Sequence, residues 1–290
     1  MKGIILAGGS GTRLHPSTIT VSKQLLPVYD KPMIYYPLSA LMLAGVQEIL
    51  IISNPEYVES YRTLLGDGHS WGMQFRYIIQ QSPRGLADAF VLGEEFVDNN
   101  PVSMMLGDNI LYGSGLVEKL SNATKIEKGA VIFAYQVKDP ERFGIVEFDQ
   151  NRKAISLEEK PEKPKSHYAI PGVYFYDGKV SEYAKSLKPS KRGEIEITDL
   201  NRIYLEQGQL DVMVLGRGVA WLDAGTPEAL LQAANFIQAV QERQGFKISC
   251  PEEIAFRKQF IDKNQFRDVI NHCKNPDYKK YLEEVLVQEI

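Results

Sequence analysis

The chain has 290 residues, enough for one large α/β domain or two smaller ones. Hydrophobic residues make up 44% and charged residues 24%, which is ordinary for a globular protein with a substantial core. The formal net charge of −4 argues against long-range attraction of nucleic acid. A site for a highly phosphorylated substrate must therefore gather its positive charges locally.

Cysteine usage and hydropathy predict the cellular compartment of the protein. Cys250 and Cys273 have neither C-x-x-C nor zinc-ligand spacing, so both are predicted to be reduced thiols. No apolar run reaches the length of a membrane span, and the N-terminal residues read as a strand rather than as a signal peptide. We therefore expect a cytoplasmic protein with no membrane or nucleic-acid partner.

A glycine-rich loop follows the first apolar run, residues 3–6, which is typical of a buried strand. Gly8, Gly9 and Gly11 let the backbone turn sharply and approach a ligand without a Cβ in the way. Such a loop exposes N–H groups that bind anions, and Arg13 adds a positive charge. The loop matches neither the dinucleotide fingerprint nor the P-loop pattern. On pattern alone, phosphate binding and simple chain reversal both stay open.

Strand and helix patterns alternate after this loop. A helix is predicted to start at 30–33 and run to Gly45, and another covers 56–65. Further strands are predicted at 48–53, 75–79 and 102–106. This alternation is typical of a parallel sheet with helices on its faces, in which ligands bind at the carboxyl ends of the strands.

Several polar side chains follow these strands or lie in apolar surroundings. The Gln80 amide suits the edge of a nucleobase, although a solvated glutamine is the alternative. Asp108 and Asp223 each end an apolar run, where a carboxylate either holds a divalent metal or substrate hydroxyl, or caps a turn. Lys23 lies among hydrophobic residues, a poor setting for a purely solvating side chain.

The second half of the chain continues the sheet with predicted strands at 130–135, 144–148, 154–157, 168–176 and 210–215. A helix is predicted over 194–207, and Thr226 is predicted to cap a long helix. Past Gly245 the pattern changes to short helical pieces. We therefore predict a main domain over 1–245 and a C-terminal extension over 246–290 that packs on that domain or on a partner subunit.

These parts fit phosphoryl or nucleotidyl transfer better than hydrolysis. The four histidines show no metal-ligand spacing, and no G-x-S-x-G elbow is present. In-line displacement at phosphorus needs charge neutralisation and positioning more than a protein nucleophile. Asp108 and Asp223 could share one Mg²⁺, which takes few carboxylates and keeps phosphate oxygens as other ligands.

Several long motifs resemble the sugar-phosphate nucleotidyltransferase family, and more narrowly its glucose-1-phosphate thymidylyltransferase branch. They lie in the family's order at residues 6–14, 22–27, 29–38, 106–109, 156–161, 192–199, 221–223 and 250–254. The resemblance covers almost the whole chain. It implies a Rossmann-like, three-layer α/β/α fold with a mostly parallel central sheet and a C-terminal helical extension.

The resemblance also implies a reaction, in which dTTP and α-D-glucose 1-phosphate give dTDP-glucose and pyrophosphate. This is the first step toward dTDP-deoxysugars such as dTDP-rhamnose, which serve polysaccharide synthesis. Mg²⁺ would be bound by Asp108 and Asp223. The family further implies a homotetramer with feedback inhibition by dTDP-rhamnose at a separate site.

Roles for the other residues are likewise implied by the resemblance alone. The triphosphate would be held by Gly8, Gly9, Gly11 and Arg13, with Lys23 at the reacting centre. The thymine would be read by Gln80 and Gly85. The sugar phosphate would be bound by Gly144, Glu159, Lys160, Ile170 and Arg192, with Lys160 acting in catalysis beside Arg13 and Lys23.

Two departures and several alternatives accompany this resemblance. Phe143 stands where some relatives carry tyrosine, and Pro171 stands where threonine is common. A related enzyme that uses UTP or another sugar 1-phosphate is one alternative, and a non-catalytic nucleotide-sugar-binding regulator is another. A glycosyltransferase is less favoured because no D-x-D follows the fourth strand.

Overall fold

The computed structural model describes residues 1–9 and 11–288. Ser10 of the predicted glycine loop and the last two residues of the predicted extension lie outside the described residues. The strands are β1 (Lys2–Leu6), β2 (Pro27–Val28), β3 (Lys31–Pro32), β4 (Glu48–Ser53), β5 (Gln74–Ile79), β6 (Val102–Leu106), β7 (Asn109–Gly113), β8 (Ala130–Gln136), β9 (Gly144–Phe148), β10 (Ala154–Glu159), β11 (Tyr168–Ala169), β12 (Val173–Tyr176), β13 (Leu210–Val214) and β14 (Val219–Asp223). The helices are α1 (Tyr35–Leu43), α2 (Val58–Leu65), α3 (Asp88–Leu92), α4 (Glu94–Val97), α5 (Leu116–Ala123), α6 (Val180–Ser186), α7 (Ile197–Glu206), α8 (Pro227–Gln244), α9 (Pro251–Arg257), α10 (Lys263–His272) and α11 (Pro276–Val287).

Ten of the described strands form one mixed sheet in the order β10-β9-β11-β8-β12-β6-β1-β4-β5, with β13 paired to β8. The central strands β6, β1, β4 and β5 are all parallel. From β12 outward the ladder to β10 is antiparallel, while β13 runs parallel to β8. The parallel strands therefore end together at one edge, and this edge carries the polar residues that follow them.

Successive side chains of a strand point to opposite faces of the sheet. Helices cover both of these faces. Ile5, Ile51 and Met105 pack with α1, α5 and the C-terminal helices in one hydrophobic cluster. Their neighbours Ile4 and Leu50 pack with α3, α6 and α7 in a second cluster. The strands are hydrophobic on both faces, as parallel strands between two helix layers must be, so the predicted three-layer architecture is confirmed.

Three local predictions are wrong, each for a physical reason. Pro32 lies in a short antiparallel pair with Pro27 instead of in the first turn of a helix, and α1 begins at Tyr35. The single strand predicted over 168–176 is interrupted at Pro171, which has no N–H to donate to the ladder. The helix predicted from residue 194 begins at Ile197, because the preceding residues form a loop.

The segment after Gly245 forms α9, α10 and α11. Ile254, Phe266 and Leu282 belong to the same hydrophobic cluster as β1 and β4, so these helices are joined to the main core. The predicted cap of α8 is confirmed, since the Thr226 hydroxyl accepts a hydrogen bond from the Ala229 N–H at 3.3 Å. Across the described ranges, no helix combines the length and the apolar character needed to cross a membrane.

Candidate active site

The polar residues that follow the parallel strands lie at one mouth of the sheet. Gly8 and Gly9 follow β1, Gln80 follows β5 and Asp108 follows β6. A cavity of about 690 Å³ opens beyond these strand ends. It is lined by nine of the residues singled out from the sequence: Gly9, Arg13, Asp108, Gly144, Glu159, Lys160, Ile170, Arg192 and Asp223.

The glycine loop adopts a conformation that favours glycine at two positions. Gly9 has φ of 104° and Gly11 has φ of 59°, both in the region that side chains other than glycine rarely occupy. Asn54, which follows β4, braces the loop: it accepts a hydrogen bond from the Gly9 N–H at 3.3 Å and donates one to the Gly9 carbonyl at 3.2 Å. The loop is therefore held open by a side chain that the sequence did not single out.

A group of four charged residues, called here the strand-end cluster, comprises Arg13, Lys23, Asp108 and Asp223. Lys23 forms an ion pair with Asp108, and their side chains are only 14% and 15% exposed. Asp223 lies opposite Asn109 in the antiparallel pair of β14 and β7, which brings it beside Asp108. The side chains of Arg13 and Asp223 both lie close to Gly225. A Cβ added at Gly225 would be 2.9 Å from the Arg13 Nη2 and 3.1 Å from the Asp223 Oδ1.

The two aspartates of this cluster differ in electrostatics. Burial alone would raise the pKa of Asp108, but the charge and hydrogen bond of Lys23, together with the hydrogen bond from Asn109, outweigh burial and hold that pKa below its usual value. The pKa of Asp223 is raised, first by burial and then by the negative charge of Asp108. Two neighbouring carboxylates that repel each other are a setting in which a divalent cation gains binding energy.

These residues fit one magnesium ion. Within residues 1–9 and 11–288 no group of three or more histidine, cysteine, aspartate or glutamate side chains could hold a metal. Mg²⁺ is usually bound by only one or two carboxylates together with water and substrate phosphates. Asp108 and Asp223 provide this donor set of hard oxygens.

Asn109 connects three elements behind the cluster. Its amide donates a hydrogen bond to the Asp108 Oδ1 at 3.0 Å. Its carbonyl oxygen accepts the Gly172 N–H at 3.0 Å and the Trp221 indole N–H at 2.6 Å. Because Asn109 is 4% exposed, these bonds replace water and fix the Asp108 carboxylate relative to β12 and β14.

A second group, the Glu159 cluster, lines another wall of the same cavity and comprises Glu159, Lys160, Arg192, Glu196 and Thr198. The Thr198 hydroxyl donates to the Glu159 Oε2 at 2.5 Å. Gly144 faces this contact, and a Cβ there would lie 3.1 Å from the Thr198 Oγ1 and 3.3 Å from the Glu159 Oε2. The absence of a side chain at position 144 therefore leaves room beside the carboxylate.

Two cations of the Glu159 cluster share its carboxylates. The Arg192 guanidinium lies 3.4 Å from Glu159, 3.1 Å from Glu194 and 3.5 Å from Glu196. Lys160 lies 3.8 Å from Glu159. Its φ of 42° is uncommon outside glycine, and such strained backbone is frequent at functional sites. Both cations are more than two-fifths exposed, so they can exchange these partners for a ligand.

Gly85 joins two loops of the site. It has φ of 107°, and a Cβ there would lie 2.4 Å from the Ile195 carbonyl oxygen. On either side of it, the Ile195 N–H donates to the Arg84 carbonyl at 2.7 Å, and the Ala87 N–H donates to the Ile195 carbonyl at 3.2 Å. The loop after β5 and the loop that carries Arg192 are thus connected by backbone hydrogen bonds.

Five predicted site residues do not line the cavity itself: Gly8, Gly11, Lys23, Gln80 and Gly85. Gly8 lies beside Gln80, since a Cβ added at Gly8 would lie 3.3 Å from the Gln80 Oε1. Gly11 is further back, where its carbonyl accepts a hydrogen bond from the Thr18 hydroxyl at 2.7 Å.

Sequence reasoning missed several polar residues of the site: Asn54, Asp88, Asn109, Arg142 and Thr198. Arg142 lines the cavity and stacks over the Phe143 ring at 5.3 Å, which itself packs on Trp221. Asn109 and Thr198 lie inside motifs that the resemblance quoted, so proximity to those motifs was the signal available for these two. Asn54 had another signal, its position directly after a predicted strand.

Comparisons with known proteins agree with this geometry. The family model described as Nucleotidyl transferase matches residues 2–240. The chain belongs to the nucleotidyl transferase family. A glucose-1-phosphate thymidylyltransferase of Xanthomonas campestris pv. campestris is 58% identical over 97% of this chain and 95% of its own length. The enzyme of that name from Neisseria meningitidis is 56% identical over 97% of this chain and 98% of its own length.

Solved structures support the same family and fold. A Bacillus anthracis structure named for glucose-1-phosphate thymidylyltransferase matches with a TM-score of 0.74 and 44% identity, covering 81% of this chain and 94% of that one. A UDP-glucose pyrophosphorylase matches with a TM-score of 0.72 but 24% identity, over 82% and 98% of the two chains, and shows the fold alone. The predicted membership of the nucleotidyltransferases and the Rossmann-like fold are confirmed.

Proposed function

We propose that this nucleotidyltransferase forms dTDP-glucose and pyrophosphate from dTTP and α-D-glucose 1-phosphate. The observation that carries the proposal is one cavity with two charged walls. One wall holds Arg13, Asp108 and Asp223 of the strand-end cluster, with Lys23 paired to Asp108, and the other holds the Glu159 cluster, with two carboxylates and two exposed cations. The relatives at 56% and 58% identity carry the name of this activity.

In this proposal the nucleotide occupies the side of the glycine loop. Backbone N–H groups around Gly8, Gly9 and Gly11 bind phosphate oxygens, and Arg13 adds charge. Gln80 and the Gly85 backbone contact the thymine. This assignment is supported by the open conformation of Gly9 and by the position of Gln80 beside Gly8.

The sugar phosphate occupies the wall of the Glu159 cluster. The Glu159 carboxylate accepts hydrogen bonds from glucose hydroxyls in the space that Gly144 leaves free, with Ile170 packing beside it. Lys160 and Arg192 bind the phosphate, because their side chains are exposed to the cavity and a guanidinium pairs well with phosphate oxygens.

The proposed chemistry is in-line attack of a sugar-phosphate oxygen on the α-phosphorus of dTTP, with pyrophosphate as the leaving group. Asp108 and Asp223 would hold Mg²⁺, which supplies neutralising charge to the phosphates when it is bound. Lys23, partly buried beside Asp108, stabilises the charge that develops on the α-phosphate oxygens. No protein nucleophile is needed, since catalysis of this kind rests on positioning and charge.

The finer parts of the proposal concern assembly and regulation. We infer that residues 1–245 form the catalytic domain and that 246–290 serve subunit contacts in a homotetramer or form a regulatory site. We also propose a cytoplasmic enzyme at the first step of dTDP-deoxysugar synthesis, with feedback inhibition by dTDP-rhamnose. The family membership supports these parts.

The test is an assay of pyrophosphate release with purified protein, α-D-glucose 1-phosphate and Mg²⁺, using dTTP and UTP in parallel. We expect one pyrophosphate for each dTDP-glucose formed, loss of activity with a chelator and recovery on adding Mg²⁺. A higher kcat/KM with UTP than with dTTP would show that the enzyme is a uridylyltransferase. No pyrophosphate from any pair of nucleotide and sugar phosphate would overturn the enzymatic proposal.

A further inference from the structure

The Gln80 side-chain amide is held in one orientation. Its Nε2 donates a hydrogen bond to the Asp88 Oδ2 at 3.2 Å. A carboxylate can only accept hydrogen bonds, so the nitrogen end of the amide must face Asp88. The oxygen end then faces the glycine loop, where Oε1 lies 3.3 Å from the position of a Cβ on Gly8.

Asp88 is an unusual partner for this task. It is only 2% exposed, and its Oδ1 has no hydrogen-bond partner among residues 1–9 and 11–288. The closest cation is the Arg84 guanidinium, 3.8 Å from the Oδ1, on a side chain that is 62% exposed. A buried carboxylate that is half satisfied lowers stability. Among the described residues, the one hydrogen bond of the Asp88 side chain is the one that it accepts from Gln80.

The orientation of the amide decides which base edge it matches. Thymine and uracil carry an N–H donor at N3 beside an acceptor oxygen at C4, whereas cytosine carries an acceptor at N3 beside an amino donor. An amide with its oxygen fixed toward the base accepts the N3–H, and its second N–H remains available as a donor. Cytosine would place its N3 lone pair against the same oxygen.

We propose that Asp88 is a positioning residue that fixes the Gln80 amide and so makes the site select thymine and uracil over cytosine. The inference rests on the proposed function to the extent that Gln80 faces the base. It extends that function, because it assigns the choice between base classes to a residue that does not itself contact the nucleotide. Asp88 acts by excluding the flipped amide, which is the orientation that cytosine would need.

The test compares dTTP, dUTP and dCTP as substrates for the wild type and for Asp88→Asn. Asparagine has nearly the same shape but can donate as well as accept, so both orientations of Gln80 become available. We expect the ratio of kcat/KM for dTTP over dCTP to fall roughly tenfold or more. The ratio for dTTP over dUTP should stay within about twofold, because both bases present the same edge to the amide.

A matched control is Asp177→Asn, the same change at another buried carboxylate. Asp177 is 4% exposed and accepts hydrogen bonds from the Gly129 N–H and the Tyr204 hydroxyl, outside the residues that line the cavity. This variant should melt at a lower temperature without any change in the dTTP to dCTP ratio. Asp88→Ser is a second variant at the test position, since its hydroxyl also donates or accepts.

Calorimetric binding of dTTP and dCTP separates failure of this inference from failure of the proposed function. If the wild type releases no pyrophosphate, the proposed function fails. A preference for dTTP over dCTP that Asp88→Asn or Asp88→Ser reduces would still support the role of Asp88. A folded variant that keeps the wild-type preference for dTTP, in turnover and in binding, would overturn it.

Discussion

The two walls of the cavity are built in different ways. In the strand-end cluster, Lys23 and Asp108 are about 15% exposed and form an ion pair, and Asp108 lies two residues after the end of β6. In the Glu159 cluster, Arg192 and Lys160 are 41% and 46% exposed and share one carboxylate. The two aspartates of the first wall are positioned by the ends of β6 and β14, whereas the cations of the second wall are carried on long, exposed side chains. Fixed charges suit the reacting phosphorus, whereas adjustable ones suit recognition of a substrate.

The largest effect on activity is expected at the wall that holds the strand-end cluster. Asp108→Asn removes the charge that pairs with Lys23 and one of the two carboxylates proposed for Mg²⁺. We expect kcat for pyrophosphate release to fall by roughly a thousandfold or more. Circular dichroism and thermal melting would establish that the variant is folded. An activity above about a tenth of wild type would show that this wall does not carry the chemistry.

A smaller effect, confined to binding of the sugar phosphate, is expected at the wall that holds the Glu159 cluster. Arg192→Met removes a guanidinium that the structure places 3.1 to 3.5 Å from three carboxylates. Steady-state kinetics should show KM for the sugar phosphate rising about ten- to a hundredfold, with KM for dTTP within about twofold.

Thr198→Val, the matched milder change at this wall, removes only the hydroxyl that holds Glu159 and should raise the sugar-phosphate KM a few-fold. Equal rises in both KM values with Arg192→Met would contradict the division between the two walls.

How much of this site the sequence could predict depends on how each residue reaches it. Gly8, Gln80 and Asp108 follow parallel strands, and such ends meet at one edge, so their proximity was predictable. Asp223 reaches the site only because β14 pairs with β7 in a particular register. That pairing joins segments over 100 residues apart, and no local pattern encodes it.

The supporting polar residues were hidden for a different reason. Asn54 and Asp88 are residue types that are usual in turns and at helix starts, so in the sequence they look like local caps. The contact of Asn54 to Gly9 appears only once β1 and β4 lie side by side, and that of Asp88 to Gln80 only once the loop between β5 and α3 brings the two side chains together. The pairing of Pro27 with Pro32 was missed because proline is also common in the first turn of a helix.

The smallest expected effect is on the pH dependence of stability, through Glu196 of the Glu159 cluster. Burial raises the pKa of Glu196, although the Ser190 hydroxyl and Arg192 partly oppose it. A carboxyl whose pKa is raised on folding is disfavoured as an anion, so its ionisation lowers stability at neutral pH, and this penalty disappears as the pH falls through that pKa.

Glu196→Gln should therefore raise the free energy of unfolding at neutral pH by about 1 kcal/mol or less. The difference from wild type should shrink toward zero in acid, as measured by urea unfolding at the two pH values. A difference that grew as the pH fell would mean that ionised Glu196 stabilises the fold through Arg192.

The backbone hydrogen bonds between Ile195 and residues 84–87 bear on redesign of the substrate range. A graft that replaces only the loop after β5 would bring in a foreign backbone opposite Ile195, where anything larger than glycine at position 85 collides. The loop that carries Arg192 would then shift with it. The loop proposed to read the base and the loop proposed to bind the sugar phosphate therefore form a single exchangeable unit, and exchanging them together preserves the register between them.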